Sequence, residues 1–148
     1  MVWNLWRDRA PSETMSAERM RILVCEDQDA IRHMIGTLVT AAGHQVVEVR
    51  TGAEAVEIVH KERFDVLLLD LMLPGALDGF DVCKRLRAEE SSREMPIFVI
   101  SAMDEGSARP RSMEAGATAF YTKPFRPLEL LEDIQKLTKP RAPSSPGV

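Results

Sequence analysis

The fold is decided by one stretch of the sequence, Phe64-Asp65-Val66-Leu67-Leu68-Leu69-Asp70-Leu71-Met72-Leu73-Pro74-Gly75. Its apolar run from Val66 to Leu69 is too short for a typical helix and predicts a strand buried on both faces of a sheet. The run leads directly into Asp70, and a carboxylate at the end of a buried strand is costly unless a cation meets it there. Ligands of open parallel sheets bind just beyond the carboxyl ends of the strands. Asp70 is therefore a candidate functional carboxylate.

Similar apolar segments on both sides of this stretch predict further strands, and helical segments separate them. The predicted strands are residues 21–25, 45–49, 65–69, 96–101 and 118–121, and the predicted helices begin near residues 29, 52, 80, 104 and 127. Strict alternation of strand and helix predicts an α/β fold, a doubly wound five-stranded parallel sheet with helices on both faces.

The helix boundaries carry finer predictions. Asp29 is expected to cap the first helix and Gly43 to end it. Gly106 and Pro110 predict a short or interrupted helix between residues 104 and 115. The last helix begins at Pro127, and its predicted inner face consists of Leu128, Leu131, Ile134 and either Leu137 or Leu130.

Composition places the chain among ordinary globular proteins. Its 148 residues suit one domain, 45% of them are hydrophobic, and the net charge of -4 does not suggest a nucleic-acid surface. No apolar run approaches the roughly 20 residues of a membrane span. The first residues lack a basic segment followed by an apolar core, so a secretory signal is not expected. Cys25 and Cys83 lack the spacing of metal ligands and are interpreted as buried free thiols in a reducing cytoplasm.

The predicted organisation has three parts. Residues 1–19 form an N-terminal extension, residues 20–138 form the domain, and residues 139–148 form a disordered Pro/Ser-rich tail. The extension is interpreted as a loosely ordered tail rather than a docking element built on Trp3, Leu5 and Trp6. Met15 and Met20 are alternative start positions.

Five polar side chains mark the carboxyl ends of the predicted strands: Glu26, Asp27, Asp70, Ser101 and Lys123. Singly, each has an ordinary explanation, such as a capping turn or a loop. Together they fall at one edge of a parallel sheet, where three carboxylates repel one another unless a cation lies among them. Oxygen ligands of this kind suit Mg²⁺. With the ammonium of Lys123 and the hydroxyl of Ser101, the set would stabilise a transferring phosphoryl group, with Asp70 as nucleophile.

At these residues the sequence resembles the receiver domain of two-component response regulators, from about Arg21 to Leu137. The matching segments are Ile22-Leu23-Val24-Cys25-Glu26-Asp27, Val66-Leu67-Leu68-Leu69-Asp70-Leu71-Met72-Leu73-Pro74, Val99-Ile100-Ser101-Ala102 and Tyr121-Thr122-Lys123-Pro124-Phe125. The resemblance implies a flavodoxin-like sheet of strand order 2-1-3-4-5. It also implies a cytoplasmic phosphoprotein that is not itself an enzyme, although it takes part in its own phosphorylation and dephosphorylation.

The resemblance implies a role for each site residue. Asp70 would accept the phosphoryl group from a histidine kinase or a phosphotransfer protein. The Mg²⁺ site would comprise Glu26, Asp27, Asp70 and the backbone carbonyl of Met72, with Asp27 as a direct ligand. Lys123 and Ser101 would contact the phosphoryl group, and the Lys123-Pro124 bond is often cis in the family.

The same resemblance implies a switch. Ser101 would move toward the phosphoryl group, and Phe120 would turn inward into the space it leaves, although Tyr121 lies next to it. The changed surface would be recognised by a downstream protein of unknown identity, without direct contact to nucleic acid or membrane. Met72 and Met103 occupy the positions that set the rate of dephosphorylation, and neither can polarise water.

Besides Met72 and Met103, three features depart from the family pattern. The loop Pro74-Gly75-Ala76-Leu77-Asp78-Gly79 is one residue longer than the usual Pro-x-x-Asp/Ser-Gly turn, and Pro110 lies in the helix of the usual output face. Phe120 has no hydroxyl, so any switch here relies on ring packing alone.

The leading hypothesis is a stand-alone response regulator; the alternatives are a receiver fragment of a larger regulator and a receiver-fold interaction module that acts without phosphorylation. A haloacid-dehalogenase-type phosphatase would need Asp where Met72 stands. A flavodoxin-like flavin protein would need a hydroxyl- or glycine-rich loop in place of Glu26-Asp27.

Overall fold

Five strands alternate with five helices in the computed structural model, which describes residues 19–138. The strands are β1 (Arg21–Cys25), β2 (Gln45–Val49), β3 (Val66–Leu69), β4 (Ile97–Ser101) and β5 (Ala119–Thr122). The helices are α1 (Asp29–Ala41), α2 (Gly52–Lys61), α3 (Gly79–Ala88), α4 (Glu105–Ala115) and α5 (Pro127–Thr138). Every strand pair is parallel and the order is β2-β1-β3-β4-β5, which confirms the predicted doubly wound sheet.

The strand sequences explain why both faces of the sheet are covered. Successive side chains of a strand point to opposite faces, so an unbroken apolar run is stable only between two layers. In β3, Leu67 and Leu69 pack with residues of α2, α3 and α4, whereas Val66 and Leu68 pack with residues of α1 and α5. The two core clusters therefore lie on opposite faces of one sheet.

Two local predictions from the sequence, the cap of α1 and the inner face of α5, are wrong. Asp29 is the first residue of α1 rather than its cap; Gln28 occupies the cap position and makes no side-chain capping bond. Asp29 instead accepts a hydrogen bond from Arg32, because its carboxylate lies one turn from that guanidinium. In α5, Leu128 is 74% exposed, whereas Leu130 and Ile134 are buried.

Helix α4 is continuous through Pro110, contrary to the predicted interruption. Proline removes one intrahelical hydrogen bond, but the helix is anchored on both sides of it. Ala108 and Ser112 are fully buried, and the Ser112 hydroxyl donates to the Ala108 carbonyl at 2.7 Å. The side chain of Asp104 also accepts a hydrogen bond from the Ser107 backbone at the start of the helix. Packing and capping therefore hold the helix together.

The other boundaries agree with the sequence to within one or two residues, and Gly43 follows the end of α1 with a left-handed φ of 99°. Cys25 and Cys83 are buried free thiols, as predicted. In the described part of the chain, no helix has the length and apolar character needed to cross a membrane. Residues 1–18 of the predicted extension and the whole predicted Pro/Ser-rich tail, residues 139–148, lie outside the described residues.

Candidate functional site

The carboxyl edge of the sheet brings Glu26, Asp70 and Lys123 together. Asp70 follows β3, and its backbone N–H donates to the Cys25 carbonyl at 3.0 Å, which ties it to the end of β1. Lys123 follows β5, and its Nζ lies 2.8 Å from Glu26 Oε1 and 3.6 Å from Asp70 Oδ1. All three side chains are at least 85% buried, so the lysine charge acts on the two carboxylates with little screening by water.

Glu26 is engaged through both carboxylate oxygens. Oε1 accepts from Lys123, and Oε2 accepts from the backbone N–H of Gln28 at 3.0 Å. In this arrangement Glu26 orients the lysine and closes the turn after β1. Its place among the metal ligands stays a prediction.

Asp27 has the most open carboxylate of the acidic set, with 43% of its side chain exposed. The nearest cation is Arg50, whose Nη2 lies 3.8 Å from Asp27 Oδ1. Among the described residues, no three His, Cys, Asp or Glu side chains form a ready metal cluster. Mg²⁺ does not need one, because it keeps several waters and uses one or two carboxylates. Asp27, Asp70 and a backbone carbonyl therefore fit Mg²⁺ in the chemistry of their donors.

The loop after Asp70 approaches the site closely at Gly79. The Gly79 N–H donates to the Leu71 carbonyl at 2.9 Å, and a Cβ at Gly79 would lie 2.5 Å from the Asp70 carbonyl oxygen. Asp78 and Asp81 form a reciprocal capping box at the start of α3. The longer loop thus returns to the backbone of Asp70 and Leu71, and Asp70 keeps its place at the end of β3.

The pKa of the Asp70 carboxyl is raised from 3.8 to about 6 by burial and, to a lesser degree, by the negative charge of Glu26. Lys123 and the backbone N–H groups of Met72 and Leu71 act in the opposite direction and limit the rise. Asp70 is mostly ionised at pH 7, and its buried negative charge lowers the free energy of unfolding of the protein.

We expect Asp70→Asn to be more stable than the wild type at pH 7 in Mg²⁺-free buffer. The folded protein binds a proton at Asp70 below pH 6, whereas the unfolded chain binds one only near pH 4, so wild-type stability falls as pH rises through this window. Asparagine carries no charge, so the variant should gain about 1 to 2 kcal/mol at pH 7 and lose this advantage near pH 4. Denaturant unfolding at both pH values measures the difference, and an equal difference at both would contradict the assignment.

Ser101 is the last residue of β4, and Phe120 lies in the neighbouring strand β5. Ser101 is fully buried, and its Oγ accepts a hydrogen bond from the Met103 backbone at 3.1 Å. The Phe120 ring is 5% exposed and packs in the core cluster beneath α2, α3 and α4. The guanidinium of Arg109 lies 5.1 Å from its centroid, a cation–π contact. The ring is therefore already directed inward, and the switch roles of the two residues stay predictions.

Tyr121 faces the opposite side of the sheet from Phe120. Its ring packs 5.8 Å from that of Phe98, and its hydroxyl donates to Asp133 on α5 at 2.6 Å. Tyr121 therefore attaches α5 to β5, and its ring is remote from the pocket that holds Phe120. The Lys123–Pro124 peptide bond, which follows β5, is cis.

Two arginines beside the site were missed from the sequence. Arg50 follows β2 and faces Asp27, as described above. Arg32 on α1 is 7% exposed and contacts the turn that carries Glu26 and Asp27. The spacing of Asp29 and Arg32 indicated an ion pair on a helix, but nothing in the local pattern indicated that the arginine is buried.

A family model described as the response regulator receiver domain matches residues 22–135. The chain is 38% identical over 124 residues to the response regulator MprA of Mycobacterium leprae, covering 84% of this chain and 53% of that protein. It spans about half, or less, of the length of the curated relatives it matches.

Solved structures agree with this match. A putative response regulator from Chloroflexus aurantiacus superposes with a TM-score of 0.78 at 32% identity, covering 81% of this chain and 98% of the other. The receiver domain of the sensor histidine kinase PA1611 from Pseudomonas aeruginosa has a TM-score of 0.74 at 30% identity, covering 80% and 96%. That structure is described with a magnesium ion coordinated in its active-site cleft.

Proposed function

The chain belongs to the family of response regulator receiver domains, and we propose that its Asp70 accepts a phosphoryl group in a Mg²⁺-dependent reaction. The observation that carries the proposal is the buried ion pair at the carboxyl edge of the sheet, where Lys123 Nζ lies 3.6 Å from Asp70 Oδ1. The donor would be a histidine kinase or a phosphotransfer protein, which are the partners of this family.

The residues support a direct displacement. An Asp70 carboxylate oxygen attacks the phosphorus, the bond from phosphorus to the donor's imidazole nitrogen breaks, and an acyl phosphate remains on Asp70. With a pKa of about 6, Asp70 is mostly ionised at pH 7 and carries the electron pair that the attack requires. Lys123 faces the charge that develops on the phosphoryl oxygens. The protein is thus a phosphoacceptor rather than an enzyme with a separate substrate.

Mg²⁺ would be held by Asp27, Asp70 and the backbone carbonyl of Met72, and Glu26 would complete the acidic set. When bound, the ion neutralises charge on the phosphoryl oxygens. Glu26 holds the lysine at 2.8 Å, so the ammonium remains at the edge of the sheet rather than extending into water. The Ser101 carbonyl accepts a hydrogen bond from the Lys123 backbone N–H at 2.9 Å, and the Ser101 hydroxyl would contact a phosphoryl oxygen.

We propose that the output is a protein contact made in the cytoplasm, with no direct contact to nucleic acid or membrane. Ser101 and Phe120 would shift between two packings as the phosphoryl group binds, and a partner would select one of them. Arg109 would stabilise the inward ring, since its guanidinium already lies over Phe120.

Intact-mass spectrometry tests the proposal. The chain is incubated with acetyl phosphate and Mg²⁺, and a parallel sample contains a chelator. One phosphoryl adduct that forms only with the metal is the expected result. A folded protein that binds Mg²⁺ and forms no adduct would refute the proposal.

One observation favours a second candidate, an interaction module that acts without phosphorylation. The Phe120 ring is 5% exposed and lies under the Arg109 guanidinium, and neither its burial nor this contact involves Asp70. If this module is the function, a binding partner would have equal affinity for the protein before and after treatment with acetyl phosphate and Mg²⁺. A change in affinity would exclude it.

We predict that the phosphoryl group on Asp70 is released slowly. Met72, 61% exposed, and the half-buried Met103 lie at the positions that would orient an attacking water, and a thioether cannot take its proton. Replacing Met72 by Asn and Met103 by Glu should speed release roughly ten-fold or more. The decay of the adduct mass measures the rate, with the exposed Met34→Asn as control. A wild-type half-life of seconds would contradict the prediction.

A further inference from the structure

We propose that Arg32 is a positioning residue for Mg²⁺ binding, because it holds the turn from which Asp27 projects. This inference rests on the proposed function, since it concerns the metal site of the same reaction. It assigns to a buried arginine on α1 a task that it shares with Glu26, whose Oε2 accepts from the Gln28 N–H of the same turn.

The guanidinium of Arg32 contacts the turn directly. Its Nη1 donates to the Glu26 carbonyl at 3.0 Å and lies 3.4 Å from the Asp27 carbonyl. These carbonyls belong to the two residues that follow β1. Because the residue is 7% exposed, the contacts are protected from competing water.

Two carboxylates hold the guanidinium in place from other directions. Nη2 donates to Asp29 Oδ1 at 2.7 Å, and Nε lies 3.4 Å from Glu48 Oε1 on β2. Gly36 provides the space for the second contact, since a Cβ there would overlap the Glu48 carboxylate. A buried cation needs such partners to offset its loss of hydration. Arg32 therefore links the turn to both α1 and β2.

The side chain of Asp27 depends on this support because little else fixes it. It is 43% exposed, and its nearest cation, Arg50, is 3.8 Å away and itself 58% exposed. An exposed pair at this distance contributes little orientation. Gln28, which follows Asp27, makes no side-chain capping bond at the start of α1. The direction of the Asp27 carboxylate is therefore set by its backbone, and Arg32 holds that backbone.

Lysine cannot replace arginine in this role. The planar guanidinium presents donors in several fixed directions and contacts two carbonyls and two carboxylates at once, whereas an ammonium is a single compact charge. Arg32→Lys keeps the charge but loses the geometry. We expect it to bind Mg²⁺ roughly ten-fold more weakly, the lower end of the range for residues that orient metal ligands.

The test is a titration of the full chain with Mg²⁺ alone, followed by calorimetry or amide chemical shifts, with no phosphoryl donor present. The matched control is Arg87→Lys. The Arg87 guanidinium also holds loop carbonyls, those of Gly116, Ser92 and Arg93, but at the opposite edge of the sheet. Both variants should lose stability in Mg²⁺-free unfolding, and only Arg32→Lys should lose metal affinity.

Three results would overturn the inference: unchanged Mg²⁺ affinity in Arg32→Lys, an equal loss in both variants, or a wild type that does not bind Mg²⁺. If Arg32→Lys does not fold, the Mg²⁺ affinity of Glu48→Gln decides, because this variant weakens one support of the guanidinium. A few-fold loss of Mg²⁺ affinity would support the inference, and an unchanged affinity would overturn it. A wild type that binds Mg²⁺ but forms no phosphoryl adduct would refute the proposed function and leave this titration to decide the role of Arg32.

Discussion

Asp70→Asn is expected to abolish the phosphoryl adduct completely. The amide has no charged oxygen with which to attack phosphorus, and its side chain has nearly the same size, so the surrounding fold should persist. Lys123 would still lie beside Glu26 at 2.8 Å, because that ion pair does not involve residue 70. The measurement is intact mass after incubation with acetyl phosphate and Mg²⁺, where the wild type gains one phosphoryl group and the variant gains none.

Asp65→Asn is the matched control for this experiment. Asp65 lies at the other end of β3, and its carboxylate accepts the backbone N–H of Arg21 at 2.8 Å, a bond that asparagine can also accept. The control removes a carboxylate near the same strand without touching the site, and its adduct should equal that of the wild type. An adduct that persists in Asp70→Asn would assign the phosphoryl group to another residue, and peptide mapping would locate it.

The sheet could be predicted from the sequence because its pattern is local. A run such as Val66–Leu69 is apolar at every position, and such a run is stable only as a strand covered on both faces. The carboxyl ends of parallel strands share one edge, so the approach of Lys123 to Asp70 followed from topology alone. No long-range information was needed for either step.

The errors arose where tertiary contacts outweigh local preference. The sequence around Pro110 predicts an interrupted helix, but the burial of Ala108 and Ser112 keeps α4 continuous. The helical spacing of α5 placed Leu128 inward, yet its side chain is 74% exposed, whereas Leu130 is buried. Arg32 was missed for the same reason, since its burial depends on Glu48 from β2, which only the folded sheet brings near.

The inward position of Phe120 was also beyond the sequence. The resemblance to receiver domains implies a ring that moves, but which packing of the ring is favoured depends on its neighbours. Arg109 precedes Pro110 in α4, lies over the Phe120 ring and is paired with Glu105 one turn earlier in the helix. Pro110 in α4, a departure from the family pattern, is thus compatible with the cation–π contact that Arg109 of the same helix makes with Phe120.

Lys123→Ala is expected to impair both the stability of the protein and the reactivity of Asp70. The ammonium, whose side chain is 15% exposed, lies between two buried carboxylates, and its removal leaves their charges uncompensated. Breaking a buried ion pair of this kind costs about 3 kcal/mol. The pKa of Asp70, about 6 in the wild type, should rise further because the Lys123 ammonium, the largest of the groups that lower it, is gone.

The two effects have a shared pH dependence that identifies their cause. The penalty comes from uncompensated negative charge, so the loss of stability should be largest at pH 7 and above, and it should shrink as Asp70 binds a proton at lower pH. The rate of adduct formation at pH 7 should fall at least ten-fold, because less of Asp70 is ionised and the developing charge lacks a cation.

Unfolding at pH 5 and pH 8 and the rate of mass gain measure these effects, with the exposed Lys84→Ala as control. A stability loss that is independent of pH would show that Lys123 acts through packing of its aliphatic stem. An unchanged rate would remove it from the phosphoryl-transfer site. The expected result, a loss that grows with pH together with slow phosphorylation, would assign both effects to one ammonium placed between Glu26 and Asp70.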